Sequence, residues 1–191
     1  PAKCAEKLDV VFIVDRSMGV QKGFPQYING IKKTLSFFDV SDTRTNVALV
    51  QFNTRAQVVA KLGENNNEAV LSDYLMNSFP ETKGRIDLAE AFKVTREQVL
   101  GRDPRFLIPN LCILFTAGCN GINIPAVLAE VKNLKFFCSL YVVTTDTSPA
   151  RLSFYNKLSS NSHTIISPTN VLPSAVDGIR KTLCPSQLNS N

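Results

Sequence analysis

Two polar side chains follow the first apolar segment of the chain at a spacing that could support chemistry. Asp15 and Ser17 come directly after a run of apolar residues of strand length, in the segment VVFIVDRSMGV. A carboxylate and a hydroxyl at a strand end could ligate a divalent cation through oxygen, or the carboxylate could act as a nucleophile in phosphoryl transfer. They could also accept backbone N–H groups of the following turn. The sequence favours this last, structural role.

Other residues with catalytic chemistry are sparse. His163 is the only histidine, and it stands at the start of the last predicted strand, at the opposite end of the predicted sheet from Ser17. A general base must reach the proton that it removes. Ser17 lacks the Gly-x-Ser-x-Gly elbow of serine hydrolases, and no glycine-rich phosphate loop is present. We therefore expect no enzymatic activity, and a hydrolase or phosphotransferase built on Asp15 is the least favoured hypothesis.

The elements that position Asp15 and Ser17 follow from hydrophobic periodicity. Continuous apolar runs suited to buried parallel strands occupy residues 8–14, 111–116 and 137–144. Apolar residues at helical spacing occupy 24–38, 88–99 and 172–183, and further helices are predicted near 67–78, 125–134 and 150–158, with a last strand at 163–166. Strands and helices therefore alternate along the chain.

One pair of strands departs from this alternation. Residues 46–52 and 56–60 are separated by three residues, which is too short for a parallel crossover and predicts a hairpin. We predict an α/β fold: a doubly wound, Rossmann-like sheet of five parallel strands plus one antiparallel edge strand, with helices on both faces. The chain is expected to form one domain over 1–191, with a core at about 8–184. Ligands of such sheets bind at the carboxyl ends of the strands, where 15–19, 116–121 and Asp87 should meet.

Charge and cysteine usage restrict the class of protein. The formal net charge is +5, but basic residues are interleaved with acids and tryptophan is absent, which argues against nucleic acid. Affinity for anionic polysaccharide stays open. No apolar run is long enough for membrane insertion.

Cys4 and Cys184 flank the predicted core and should meet at the lower end of the sheet, which predicts a disulfide and an extracellular setting. Pairing of Cys112, Cys119 and Cys138 stays undecided.

Four segments resemble the von Willebrand factor A domain family, which includes the integrin inserted domains. They are DVVFIVDRSMG, VALVQFNTRA, LCILFTAGCNG and YVVTTDTSPARL, and with the terminal helix they cover about 8–184. The resemblance implies a site for Mg²⁺ or another divalent ion at the top of the sheet. Its ligands would be an Asp-x-Ser-x-Ser loop, a threonine in a glycine-led loop and an aspartate in a Thr-Asp-Gly turn.

Only two of these five ligand positions keep an oxygen side chain here. Asp15 and Ser17 match, whereas Gly19, Ile86 and Ala117 occupy the other three positions. A shift of alignment could offer Thr82 in place of Ile86, but no nearby residue replaces the second carboxylate. Because Mg²⁺ requires near-octahedral oxygen coordination, we expect no metal and no cofactor. The alternative is a non-standard cation site that recruits Asp87 or Asp146.

The resemblance implies a function in protein binding. We expect a secreted adhesion or assembly module of the extracellular matrix, similar to the A domains found in type VI collagen and other matrix proteins. Its partners would be matrix proteins, with collagen as one candidate, and the residues that bind them are unknown. Arg85, Arg102 and Arg105 are candidates for the charged rim of an interface.

Overall fold

A six-stranded sheet forms the centre of the computed structural model, which describes residues 3–4, 6–64, 67–77, 85–102, 105 and 107–183. The strand order is β3-β2-β1-β4-β5-β6. β3 pairs antiparallel with β2 at one edge, and the other pairs are parallel. The prediction of five parallel strands and one antiparallel edge strand is confirmed. The strands are β1 (Leu8–Asp15), β2 (Thr45–Phe52), β3 (Ala56–Ala60), β4 (Asn110–Thr116), β5 (Ser139–Thr144) and β6 (Thr164–Ile166).

Helices cover both faces of this sheet. They are α1 (Phe24–Leu35), α2 (Glu68–Asn77), α3 (Leu88–Val94), α4 (Ile124–Leu134), α5 (Leu152–Leu158), α6 (Leu172–Ala175) and α7 (Asp177–Leu183). Residues of α1, α2, α6 and α7 form one hydrophobic core with the sheet, around Phe12 and Phe115. Residues of α3, α4 and α5 form the second core on the opposite face, around Ile13 and Leu114. Both faces of the central strands are therefore buried, as their continuous apolar sequences predict.

Several element boundaries differ from the sequence prediction. α1 ends at Leu35 instead of residue 38, and β5 begins at Ser139 instead of residue 137. Phe137 belongs to the turn after α4, because its amide N–H bonds back to the carbonyl of Leu134 at 2.9 Å. α3 continues as a wider π-helical turn over Thr95–Val99, and the predicted helix over 172–183 is divided into α6 and α7. Residue 78, predicted to end α2, lies outside the described part of the chain. Boundaries depend on local hydrogen bonds that apolar periodicity does not encode.

Strand register sets which polar residues meet at the carboxyl ends of the strands, here called the upper edge. Val14 of β1 is paired with Phe115 of β4, and Asp15 is paired with Phe52 of β2. The strands β1 and β4 therefore end next to each other. Asp15 and Ser17 at the end of β1 and Thr116 at the end of β4 lie close together at the upper edge. This juxtaposition builds the candidate site.

Cys4 lies at the lower edge, buried against Phe38 through an isolated β-bridge. Its predicted partner, Cys184, lies outside the described residues, so the disulfide stays a prediction. Cys112 and Cys138 are neighbouring, unbridged thiols in the second core, where burial and the adjacent Cys138 raise the pKa of Cys112. Cys119 is half-buried and unbridged in the loop after β4.

Candidate functional site

The carboxylate of Asp15 is the centre of the upper-edge site, and it is turned into the protein. Its side chain is fully buried. Oδ1 accepts the backbone N–H of Ser17 at 2.8 Å, and Oδ2 accepts the Thr116 hydroxyl at 2.9 Å and the Ala117 N–H at 3.0 Å. Both oxygens are thus engaged with the loops after β1 and β4. The carboxylate joins these loops, and its bond with the Ser17 N–H is the contact with the following turn that the sequence favoured.

Burial changes the acid–base behaviour of Asp15. Desolvation disfavours its charged form, and this effect exceeds that of the hydrogen bonds from Ala117 and Ser17, so the pKa of Asp15 is raised above its usual value. Neither oxygen of Asp15 is exposed at the protein surface.

Tyr27 of α1 supports the same strand ends from one face of the sheet. Its hydroxyl donates toward the carbonyl oxygens of Phe115 and Asp15, at 2.9 and 3.2 Å. Its ring packs edge-on against Phe115, with 6.5 Å between the centroids. α1 therefore fixes the relative position of the two loops that meet at Asp15.

A cleft of about 240 Å³ lies above these loops at the upper edge. The residues around it come from three loops, and they are Ser17, Met18, Gly19, Arg85, Ile86, Ala117, Gly118 and Asn120. A Cβ atom placed on Gly19 would lie 3.4 Å from the Ala117 Cβ and 3.6 Å from the Ser17 Oγ. Four of the five predicted ligand positions therefore surround one space, and Asp15 lies beneath it.

A model of the von Willebrand factor type A domain matches residues 9–171, which is most of the chain. The chain belongs to this family. Domains of the family mediate protein–protein interactions and generally serve in adhesion. The A domain described here has the family's Rossmann-like fold.

Solved structures with the same fold come from distant organisms. One is proximal thread matrix protein 1 from the mussel byssus with a zinc-occupied MIDAS motif, at 21% identity and a TM-score of 0.81; the match covers 96% of the A domain and 47% of that chain. A manganese-loaded TRAP protein of Plasmodium vivax has 17% identity and a TM-score of 0.70, with coverages of 91% and 73%. The von Willebrand domain of the pilus tip protein Mfa5 from Porphyromonas gingivalis has 10% identity and a TM-score of 0.73, with coverages of 95% and 96%. The A domain spans about half the length of the mussel protein.

The residues around the cleft do not fit the divalent ion that these two metal-bearing structures contain. Gly19, Ile86 and Ala117 have no side-chain oxygen, and the Asp15 carboxylate is occupied by three donors. Within the described ranges, no three His, Cys, Asp or Glu side chains are grouped where they could share an ion. Thr82, the other possible hydroxyl, lies outside those ranges. Of the five ligand positions, Ser17 alone brings a side-chain oxygen to the lining of the cleft, and Ser17 is itself largely buried.

The two acids that could have been recruited to a non-standard site are used elsewhere. Asp87 is the N-cap of α3, and its Oδ1 accepts the N–H of Glu90 at 3.0 Å. Asp146 forms an ion pair with Arg151 at 2.7 Å and accepts the Tyr155 hydroxyl at 2.8 Å. Burial opposes ionisation of Asp146, but these bonds outweigh it, and the pKa of Asp146 lies below its usual value.

The three arginines proposed for an interface rim lie at opposite ends of the molecule. Arg85 lines the upper cleft. Arg105 lies at the lower edge, where it pairs with buried Asp9 at 2.8 Å and donates to the carbonyl of Leu8 at 3.0 Å. Arg102 ends the helical segment that descends from Asp87. The length of β1 therefore separates Arg85 from Arg105, and whether any of the three arginines contacts a partner stays a prediction.

The remaining predicted residue, His163, packs its ring against Tyr141 with 4.4 Å between the centroids. It precedes β6, away from Ser17. Among the described residues, no helix is both long and apolar enough to cross a membrane.

Sequence reasoning missed Arg16, which lies between the two predicted ligands. Its guanidinium is buried, donates to the carbonyl of Leu75 and lies 5.2 Å from the ring centroid of Phe24. Nε and Nη1 have no hydrogen-bond partner in the part of the chain that the structure describes. Burial lowers the pKa of Arg16. An arginine directly after a buried strand was the available signal, because a charge in that position must find a specific contact.

Proposed function

We propose that this A domain is a protein-binding module of the extracellular matrix that works without a metal ion and has no enzymatic activity. The observation that carries the proposal is the state of Asp15, whose two oxygens are both bonded inside the protein while Gly19, Ile86 and Ala117 offer no oxygen above it. A carboxylate held in this way joins loops. Binding then depends on the protein surface around the loops.

The proposed partners are secreted matrix proteins, with collagen as the first one to test. The fold shared with a thread matrix protein of the mussel byssus supports this setting. The proposed disulfide between Cys4 and Cys184 belongs to the same extracellular setting, since such bonds form in oxidising compartments. A net charge of +5 adds a second partner to test, anionic matrix polysaccharide.

Two other functions agree less well with the contacts of Asp15, Asp87 and Asp146. A metal-dependent A domain with a non-standard cation site is consistent with the retained Asp15 and Ser17, but Asp87 and Asp146 already serve a helix cap and an ion pair. A phosphotransferase or hydrolase would require Asp15 to reach a substrate, and its side chain is fully buried.

Calorimetric titration tests the metal-independent reading. Mg²⁺ and Mn²⁺ titrated into protein stripped with EDTA should give no saturable heat, because the single hydroxyl of Ser17 cannot offset the dehydration of a small cation. Adhesion to collagen should be unchanged by EDTA. Micromolar binding of either ion that disappears in Ser17→Ala, or adhesion abolished by EDTA, would contradict the proposal.

A further inference from the structure

We propose that Arg85 binds an acidic side chain of the protein partner in the upper-edge cleft, so that the partner's carboxylate meets a guanidinium of the A domain. This inference rests on the proposed function, since it names the chemistry by which that function would recognise a partner. Arg85 is not one of the five ligand positions of the divalent-ion site that the family resemblance implies.

The first support is the position of Arg85. This residue and Ile86 line the upper-edge cleft together with Ser17 and Gly118, and they also line a second cleft of about 240 Å³ with Thr54 and Asn123. Arg85 therefore lies on the ridge between two depressions. A chain segment that crosses the ridge would pass over the guanidinium.

The second support is that the guanidinium is available. Arg85 is exposed, and it forms no ion pair or side-chain hydrogen bond with any residue in the described ranges. The other arginine near this cleft, Arg151, is already paired with Asp146 and also donates to Asn120. Arg85 keeps its full set of donors for a partner.

The third support is the balance of charge around the upper-edge cleft. Among the described residues that line it, none is acidic. The carboxylate of Asp15 points away into three donors, and Asp146 is neutralised by Arg151. Asp87 lines the second cleft beside Arg85, and its Oδ1 caps α3 by accepting the N–H of Glu90. Arg85 is the one charged residue among the described residues that line the upper-edge cleft, which favours an anion there. A planar guanidinium matches a carboxylate through two parallel hydrogen bonds.

The apolar surroundings favour a carboxylate carried by a protein chain over a free anion. Met18, which is 56% exposed, and Ile86 line the same cleft as Arg85. A lone exposed ion pair contributes little to affinity. Apolar residues on either side of the partner's acid would cover Met18 and Ile86 and exclude water from the pair, which strengthens it.

A synthetic peptide with one acid provides the probe. The peptide Ala-Ala-Leu-Glu-Leu-Ala-Ala, blocked at both ends, is compared with its glutamine counterpart and with sodium sulfate, each titrated into the full chain and followed by amide NMR shifts. We expect saturable shifts at Gly19, Gly118 and Asn120 with the glutamate peptide, and affinity lower by about tenfold for the glutamine peptide, the value of one charge-assisted hydrogen bond.

Substitutions then assign the effect to Arg85. Arg85→Ala and Arg85→Gln should each weaken the glutamate peptide by about tenfold, and Arg85→Lys should restore part of the affinity because it keeps the charge and loses the fork. Arg55→Ala is the matched control, since Arg55 is an exposed arginine of the same edge that lies outside both cleft linings. It should bind as the unsubstituted protein does.

Each contrary result overturns the proposal. Equal affinity for the two peptides, unchanged affinity in Arg85→Ala, shifts with sulfate alone, or no shifts with the glutamate peptide would remove the acidic side chain as the ligand. The proposed metal independence is tested separately on the same sample, because saturable Mg²⁺ binding would contradict it whatever Arg85 does.

Discussion

Replacing Asp15 with alanine should lower the free energy of unfolding by about 3–5 kcal/mol, within the upper range for single substitutions. The change removes the acceptor of three donors, the N–H groups of Ser17 and Ala117 and the hydroxyl of Thr116. The site is buried, so water cannot replace the carboxylate without entering the loops. Urea unfolding followed by circular dichroism measures the change.

An exposed aspartate serves as the control for this substitution. Asp73→Ala removes the same charge from the surface of α2 and should change the free energy of unfolding by less than about 0.5 kcal/mol. An Asp15→Ala protein as stable as Asp73→Ala would show that the carboxylate does not hold the loops together.

The same residue predicts a specific pH dependence of stability. The pKa of Asp15 is raised by burial in the folded protein, above the usual value of 3.8. At pH values between 3.8 and the raised pKa of the folded protein, the folded state binds more protons than the unfolded state. The free energy of unfolding therefore falls as pH rises through the folded pKa. The stability contributed by the protonated form is complete below pH 3.8 and is lost above it.

Asp15→Asn isolates this effect because asparagine does not titrate. The difference in unfolding free energy between the unsubstituted protein and Asp15→Asn should move in favour of the variant as pH rises from about 4 to 8. The other titrating groups, including Asp146, are shared by the two proteins and cancel in the difference. A difference that is constant with pH, or that moves in the opposite direction, would contradict the raised pKa.

Restoring the three missing oxygen ligands should create a divalent cation site. In the variant Gly19→Ser, Ile86→Thr, Ala117→Asp, Mg²⁺ or Mn²⁺ at about 100 times its Kd should raise the free energy of unfolding by about 2.7 kcal/mol through mass action. A Cβ atom on Gly19 has room, because it would lie 3.4 Å from the Ala117 Cβ, which is ordinary contact. Thermal unfolding with Mn²⁺ or EDTA measures the effect.

A matched variant separates ligation from shape. Gly19→Ser, Ile86→Thr, Ala117→Asn has the same size and hydroxyls but lacks the second carboxylate, and it should show a much smaller response to Mn²⁺. If both variants respond equally, or neither does, then the three positions are not what keeps a cation from this loop.

The sequence by itself determined the architecture of the A domain. Runs of apolar residues and helical spacing set the alternation of strands and helices, and the three-residue link between β2 and β3 required the antiparallel edge. These are local properties of the chain. The side chains at Gly19, Ile86 and Ala117 were also readable from the sequence, since the absence of an oxygen does not depend on conformation.

Only the tertiary structure decided how the upper edge is used. Asp15 is bonded to Thr116 and Ala117, which lie 101 and 102 residues further along the chain, and no local pattern could pair them. The environments of the arginines also depend on tertiary structure. Arg16 is buried, Arg105 forms an ion pair with Asp9, and Arg85 is exposed between the two clefts. Sequence shows that a charge is present, but its partner depends on which distant segments the topology brings within a few ångströms.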